Sequence, residues 1–279
     1  MEIEDQDIKA FVETVRSRSD YDFSNYSDKS LKRRISKILL DHRLSPVNLL
    51  DRLASDGKFL EQVVKDLTVN TTELFRDPHI WHVLRYDILP LFQDRFRINI
   101  WHPGCSTGQE VFSMMILLHE LGLLQKSRIY ATDINEDVLS TAREGIYKYR
   151  FNEGYLDNFD SVIRENPHDS NAYYDVPYER YFQIDKTRDK IRMNPELCQK
   201  PDYKKHNLAG GPNPFDVVYD LIICRNVIIY FNYELQNNVF KLFLDNMSQG
   251  GCLLLGVHET ILGPYSGYFD KRYQAYFKK

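Results

Sequence analysis

Between Ile98 and Glu110 the chain reads Ile-Asn-Ile-Trp-His-Pro-Gly-Cys-Ser-Thr-Gly-Gln-Glu, an apolar run that breaks at a Pro-Gly pair and passes into a helical pattern. The alternation predicts a strand with Asn99 and Trp101 on one face and Ile98, Ile100 and His102 on the other. Val111, Met114, Met115, Leu117 and Leu118 then recur at helical spacing. Gly104 and Gly108 allow the backbone to pass close to a ligand, and the amides that open the helix offer it donors. Strand, tight loop and helix in this order predict an open α/β sheet with a crevice at the carboxyl end of the strand.

The loop is not Gly-x-Gly-x-x-Gly and carries no Walker lysine, so the motif favours neither a dinucleotide nor a nucleoside triphosphate. Arg128 to Asp133 reads as the next strand, and a carboxylate at its tip can accept both hydroxyls of a ribose. On these two features alone, an ordinary βαβ unit with a solvated aspartate fits as well as a site for a nucleoside-bearing cofactor.

Around this centre the chain divides. Residues 1–67 read as helices, with Ile8, Phe11, Val12 and Val15 on one apolar face, Leu31, Ile35, Ile38 and Leu39 on another, and Leu60, Val63, Val64 and Leu67 on a third. Ser45-Pro46 marks a helix start and Asp56-Gly57 a break. Residues 68–279 carry the sheet. They include an aromatic-rich insertion over 148–206, in which Tyr173, Tyr174, Tyr178 and Tyr181 are expected to pack. Phe215 to Tyr230 predicts a buried parallel strand ending at Arg225-Asn226. A helix through Met247 stopped by Gly250-Gly251, a strand over Cys252 to Val257 and one last strand over Asp270 to Phe277 follow.

A formal charge of −4 argues against a nucleic-acid partner, and the acidic N-terminus with no long apolar run argues against a signal peptide or a spanning helix. Four scattered cysteines without a Cys-x-x-Cys fit a reduced, cytoplasmic protein, and the spacing offers no metal site.

Six ordered stretches carry a resemblance to one family. Asn70-Thr-Thr-Glu-Leu-Phe-Arg-Asp77, Gly104-Cys-Ser-Thr-Gly-Gln-Glu110, Ala131-Thr-Asp-Ile134, Ala142-Arg-Glu-Gly-Ile-Tyr147, Cys224-Arg-Asn-Val-Ile-Ile-Tyr-Phe231 and Gly256-Val-His-Glu259 resemble the successive signatures of the CheR family. Its members are S-adenosylmethionine-dependent protein-glutamate O-methyltransferases of bacterial chemotaxis. The resemblance runs from about residue 30 to the C-terminus. It implies a Class I (Rossmann-like) methyltransferase domain behind a small all-helical domain, with an inserted small β-subdomain. By the same resemblance Asn70, Thr72, Arg76, Gly104, Glu110, Asp133, Asn207, Leu208, Arg225 and Asn226 hold S-adenosyl-L-methionine. Arg76 and Tyr230 act on the acceptor, and Lys32, Arg33 and Arg34 meet it. The implied partner is a chemoreceptor cytoplasmic domain or another acidic helical protein, methylated by a monomeric enzyme.

From the residues alone, Thr71 or Thr72 is a helix cap, Arg76 a surface partner of Asp77, Asn207 a turn residue, and Lys29 to Lys37 a solvated basic face. The family's insertion binds a receptor's C-terminal pentapeptide by strand addition in the members that recognise one. Here Lys186-Thr-Arg-Asp189 stands where a glycine-bearing turn is expected. Two other functions are compatible with parts of the pattern. Gly104-Cys-Ser-Thr-Gly108 also satisfies Gly-x-Ser-x-Gly, so Ser106, Asp220 and His258 stand in the order of a hydrolase triad, although helices alone precede the strand. A non-catalytic cofactor-binding module is the second, and the retained residue types at the motif positions argue against it.

Overall fold

The computed structural model describes residues 3–68, 71–169 and 171–279. In chain order the elements are α1 (Asp5–Arg18), α2 (Asp28–His42), α3 (Pro46–Ser55), α4 (Gly57–Leu67), α5 (Pro78–Val83), β1 (Ile98–Pro103), α6 (Gln109–Glu120), β2 (Ser127–Asp133) and α7 (Glu136–Glu144). There follow β3 (Ile146–Tyr147), α8 (Gly154–Phe159), β4 (Phe182–Asp185), β5 (Lys190–Met193), α9 (Pro195–Cys198) and β6 (Asp202–Lys205). The chain closes with β7 (Tyr219–Cys224), α10 (Tyr233–Asp245), β8 (Met247–Leu255), β9 (Phe269–Arg272) and β10 (Ala275–Lys278).

α1 to α4 enclose their own core, in which Phe11, Val15, Ile35, Leu53 and Val63 are buried. The caps explain the boundaries. Ser45 accepts the Asn48 amide with Pro46 in the first turn, and Asp56, which ends α3, accepts the Phe59 amide to start α4.

The main sheet runs β6-β2-β1-β7-β8-β10-β9. Its first five strands are parallel and β10 is antiparallel to both β8 and β9. Strand β1 alternates as its residues predict: Ile98 and Ile100 join one core layer, and Trp101 joins the other. The strand order reverses beside β1, which places a ligand crevice at the carboxyl ends of β1, β2 and β7.

The C-terminal third differs from its sequence expectation in two places. α10 stops at Asp245, so Met247 opens β8, and Gly250 sits inside that strand at φ +69, beside a register irregularity opposite Tyr219 and Leu221. A glycine pair there marks a bulge, not a helix stop. Asp270 to Phe277 forms two strands, because Tyr273 (φ +51) and Gln274 (φ +60) make a two-residue turn with both centres left-handed.

The insertion contributes β4 and β5 to a three-stranded antiparallel sheet, β3-β5-β4, whose β3 lies just before it, but Asp202–Lys205, the end of the stretch expected to belong to it, pairs with β2 in the main sheet. Asp189 takes the left-handed position (φ +55) of the turn, and its carboxylate accepts the Arg150 amide at 2.9 Å. Tyr178 and Tyr181 pack as expected, but Tyr173 and Tyr174 are exposed. Among the described residues no helix is long and apolar enough to cross a membrane.

The two domains are stitched together over a short span. The Ser27 amide donates to the Tyr230 carbonyl at 2.8 Å, the Asn232 amide donates to Asn25, and Tyr26 packs edge-on against Phe231. Lys65 also pairs with Asp137 at 2.6 Å.

Candidate active site

The crevice encloses about 1200 Å³, its open mouth included, between the carboxyl ends of the parallel strands and the helical domain. Its floor is the β1–α6 loop. Gly104 (φ +73) and Gly108 (φ +90) are glycines for conformation and for close packing: a Cβ on Gly104 would lie 2.5 Å from a Val227 methyl, and one on Gly108 would lie 2.7 Å from the Ala142 Cβ. The loop is tied to β2 by the amides of Gly104 and Cys105, which both donate to the Thr132 carbonyl.

Asp133 ends β2 inside this crevice and is nearly buried. One carboxylate oxygen accepts the Ser106 amide at 2.9 Å and the other the Asn135 amide at 3.0 Å, so the group is rigidly aimed and each oxygen keeps a further lone pair. Burial raises its pKa, and the amide hydrogen bonds oppose that rise.

Glu110, in the first turn of α6, accepts from Nδ1 of the fully buried His102 at 3.0 Å and from Arg225 at 3.3 Å. Arg225 lies at the end of β7 with its side chain 2% exposed. It also donates to the Asp77 carboxylate at 2.7 Å and to the Arg76 carbonyl at 3.0 Å. Asp77 is therefore the partner of Arg225 and not of Arg76, contrary to the simple surface pairing. Arg76 lines the crevice instead, and its guanidinium lies 3.4 Å from the Thr71 carbonyl. Phe75 (φ +51) and Asp77 (φ +57) flank it, both left-handed, and the Trp81 indole also donates to its carbonyl. Such a doubly held, twice-kinked backbone presents the side chain from a fixed base.

Thr72, Asn207, Leu208, Asn226 and Tyr230 line the same crevice. Asn70 lies outside the described residues. Of the three α2 residues expected to meet the acceptor, Arg34 reaches the crevice with its Nε buried and unpartnered among the described residues, Arg33 is exposed, and Lys32 faces the start of α1. They do not form one face.

Glu259 is the residue that motif reading quoted without giving it a task. Buried after β8, its carboxylate accepts four amides: Gly256 at 2.7 Å, Asn226 at 2.8 Å, Val227 at 3.0 Å and Ile229 at 3.2 Å. It thereby sets the path of the segment that carries Asn226 and Tyr230. Its place in the Gly256-Val-His-Glu259 stretch, just past a strand end, is the hint the sequence offers.

A serine hydrolase is excluded by position. Asp220 opens β7, at the opposite end of the strand from the crevice, where it binds the Asn99 amide and Arg95. His258 is exposed, and the group touching Ser106 is Asp133, at the backbone amide. A serine-directed fluorophosphonate is expected to leave Ser106 unlabelled, which mass spectrometry checks directly.

The mostly parallel seven-stranded sheet with its antiparallel β10, the reversal beside β1 and the carboxylate at the tip of β2 make up the Rossmann-like fold of Class I methyltransferases. The family described as CheR methyltransferase, all-alpha domain, matches residues 6–68, and CheR methyltransferase, SAM binding domain, matches 70–159 and 169–275. Putative methyltransferase Cher3 of Pseudomonas putida is 35% identical over 271 residues, covering 96% of this chain and 92% of that protein. A chemotaxis protein methyltransferase of Borreliella burgdorferi is 31% identical over 251 residues, covering 81% of each, and one of Listeria innocua is 26% identical over 263 residues, covering 93% and 92%. The chain belongs to the CheR methyltransferase family, and S-adenosyl-L-methionine is its cofactor.

The crevice fits that cofactor. It pairs an aimed carboxylate suited to vicinal hydroxyls (Asp133) with a second carboxylate suited to an ammonium (Glu110), and the buried Ser106 hydroxyl lacks a partner among the described residues.

Proposed function

We propose that this chain is a protein-glutamate O-methyltransferase whose acceptor is a chemoreceptor cytoplasmic domain or a related acidic helical protein. The observation that supports it most is the lining of one crevice: Arg76 stands with Glu110, Asp133, Asn226 and Tyr230, so a cation suited to an acceptor carboxylate and carboxylates suited to the cofactor face the same space. Asp133 would hold the ribose, Glu110 the ammonium group, and Asn207 and Leu208 the adenine end. When bound, S-adenosylmethionine supplies a sulfonium-activated methyl group that a carboxylate oxygen can attack.

The protein's own part is placement. A glutamate with an ordinary pKa of about 4.3 is ionised near neutral pH, so no residue needs to act as general base. Arg76 would fix the acceptor carboxylate through its planar fork, and the Tyr230 hydroxyl would donate a hydrogen bond near the reacting oxygen. Fixing two reactants in this way lowers a barrier by about 7 to 11 kcal/mol in favourable systems.

Incubation with methyl-labelled S-adenosylmethionine and a lysate of the source cells should place base-labile label on a protein band; label that resists base, or no label, would overturn the assignment. Asp133→Asn should weaken S-adenosylhomocysteine at least tenfold by calorimetry, since a charge-assisted hydrogen bond contributes about 1.5 to 3 kcal/mol; unchanged affinity would remove Asp133 from the ribose. The double variant Lys32→Ala, Arg33→Ala should keep that affinity within twofold while slowing protein methylation, most visibly at low salt, where exposed charges steer association. Parental rates at every ionic strength would leave those two residues as a solvated face.

A further inference from the structure

We infer that the first turn of the inserted segment, Lys148 to Phe151, forms the outer wall of the groove that receives the acceptor. The acceptor supplies it with an apolar side chain set among acidic ones. This rests on the methyltransferase assignment and specifies the surface that selects the protein substrate.

A second, smaller depression adjoins the cofactor crevice, and the two share Thr71, Thr72 and Arg76. Its far side is built by the insertion, from Phe151, Asn152 and Tyr155. Arg76 therefore stands on the partition between the two spaces. A glutamate whose carboxylate meets Arg76 has its sequence neighbours lying over the outer depression. On a helical acceptor, residues three or four positions from that glutamate share its face and are the ones that reach Phe151.

The wall has the chemistry of a contact surface. Phe151 is 80% exposed, with the Lys148 ammonium 5.7 Å from its ring centroid. Tyr155, at the floor, is held from beneath, its hydroxyl accepting from Gln109 at 2.7 Å. Around this turn stand Lys148, Arg150 and Lys186, the last with its ammonium 5.2 Å from the Tyr149 ring centroid. Of the acids nearby, Asp189 binds Arg150 and Asp185 binds Thr187 and the Arg188 amide, while Glu73 lines the depression and Glu153 is exposed beside Asn152. Lys148 and Lys186 beside one large apolar side chain, with Arg76 on the partition, complement an amphipathic helix that carries an apolar residue next to glutamates.

Phe151→Ser and Lys148→Glu test this, because both side chains lie outside the core and outside the cofactor crevice. With labelled S-adenosylmethionine and a lysate of the source cells, each variant should lower the initial rate of base-labile labelling at least fivefold in dilute lysate. The deficit should shrink as the lysate is concentrated. Affinity for S-adenosylhomocysteine and melting temperature should match the parent, and Phe151→Leu should restore most of the rate. Parental labelling by both variants at every dilution overturns the assignment of this wall. Absence of base-labile label with the parent enzyme overturns the methyltransferase assignment itself, and this inference falls with it.

Discussion

Replacing Arg76 by lysine is expected to lower turnover on the order of a hundredfold, the loss that a misplacement of about 1 Å can cause, while changing S-adenosylhomocysteine affinity by less than tenfold. Lysine keeps the charge. It lacks the planar, two-pronged donor set that holds a carboxylate in one orientation, and its ammonium moves on a flexible stem. The backbone around position 76 is unusually constrained, with left-handed residues on both sides and the carbonyl taken by Trp81 and Arg225. The protein fixes where this side chain begins, so its shape decides where it ends. Melting temperature, cofactor affinity and turnover measured on the same variant separate this from a structural role, which predicts a small loss of stability and near-normal turnover.

Glu259→Gln is expected to destabilise the fold by about 2 to 6 kcal/mol, if two of its four amides lose their acceptor at roughly 1 to 3 kcal/mol each. Glutamine offers one acceptor oxygen where glutamate offers two, and it turns an N–H donor towards amides that are themselves donors. Because these amides belong to Gly256, Asn226, Val227 and Ile229, the loss should appear both in the denaturation midpoint and in cofactor affinity. A midpoint unchanged within the equivalent of about 0.5 kcal/mol would show that the carboxylate is not the anchor.

How far residues foretold structure depends on whether the signal was local. The β1–α6 unit was legible because alternation gives way to helical spacing at a Pro-Gly break. The helical domain was legible because Ser45 and Asp56 cap their helices. The final hairpin was not, since its turn uses Tyr273 and Gln274 where Asn-Gly would have announced it. Gly250 misled because a bulge glycine and a helix-stop glycine look alike until the pairing partner is known. In the crevice, the motif positions of Thr72, Arg76, Glu110 and Asp133 were visible, and the structure brings them to one space. What no spacing could reveal is the long-range bonding: Asp77 to Arg225, and Glu259 to a loop some thirty positions away.

The short pairing of residues 25–27 with 230–232 carries a consequence for how such a chain can be inherited. Phe23, Tyr26, Leu31 and Arg34 supply one side of the cofactor crevice, and Phe231 packs back on Tyr26. The helical domain is thus part of the crevice and not merely an appendage to the sheet. Removing it would take away a wall of the site and leave Phe231 facing water. Changes in the helical domain that reach this wall are therefore inherited together with the sheet as changes in one site.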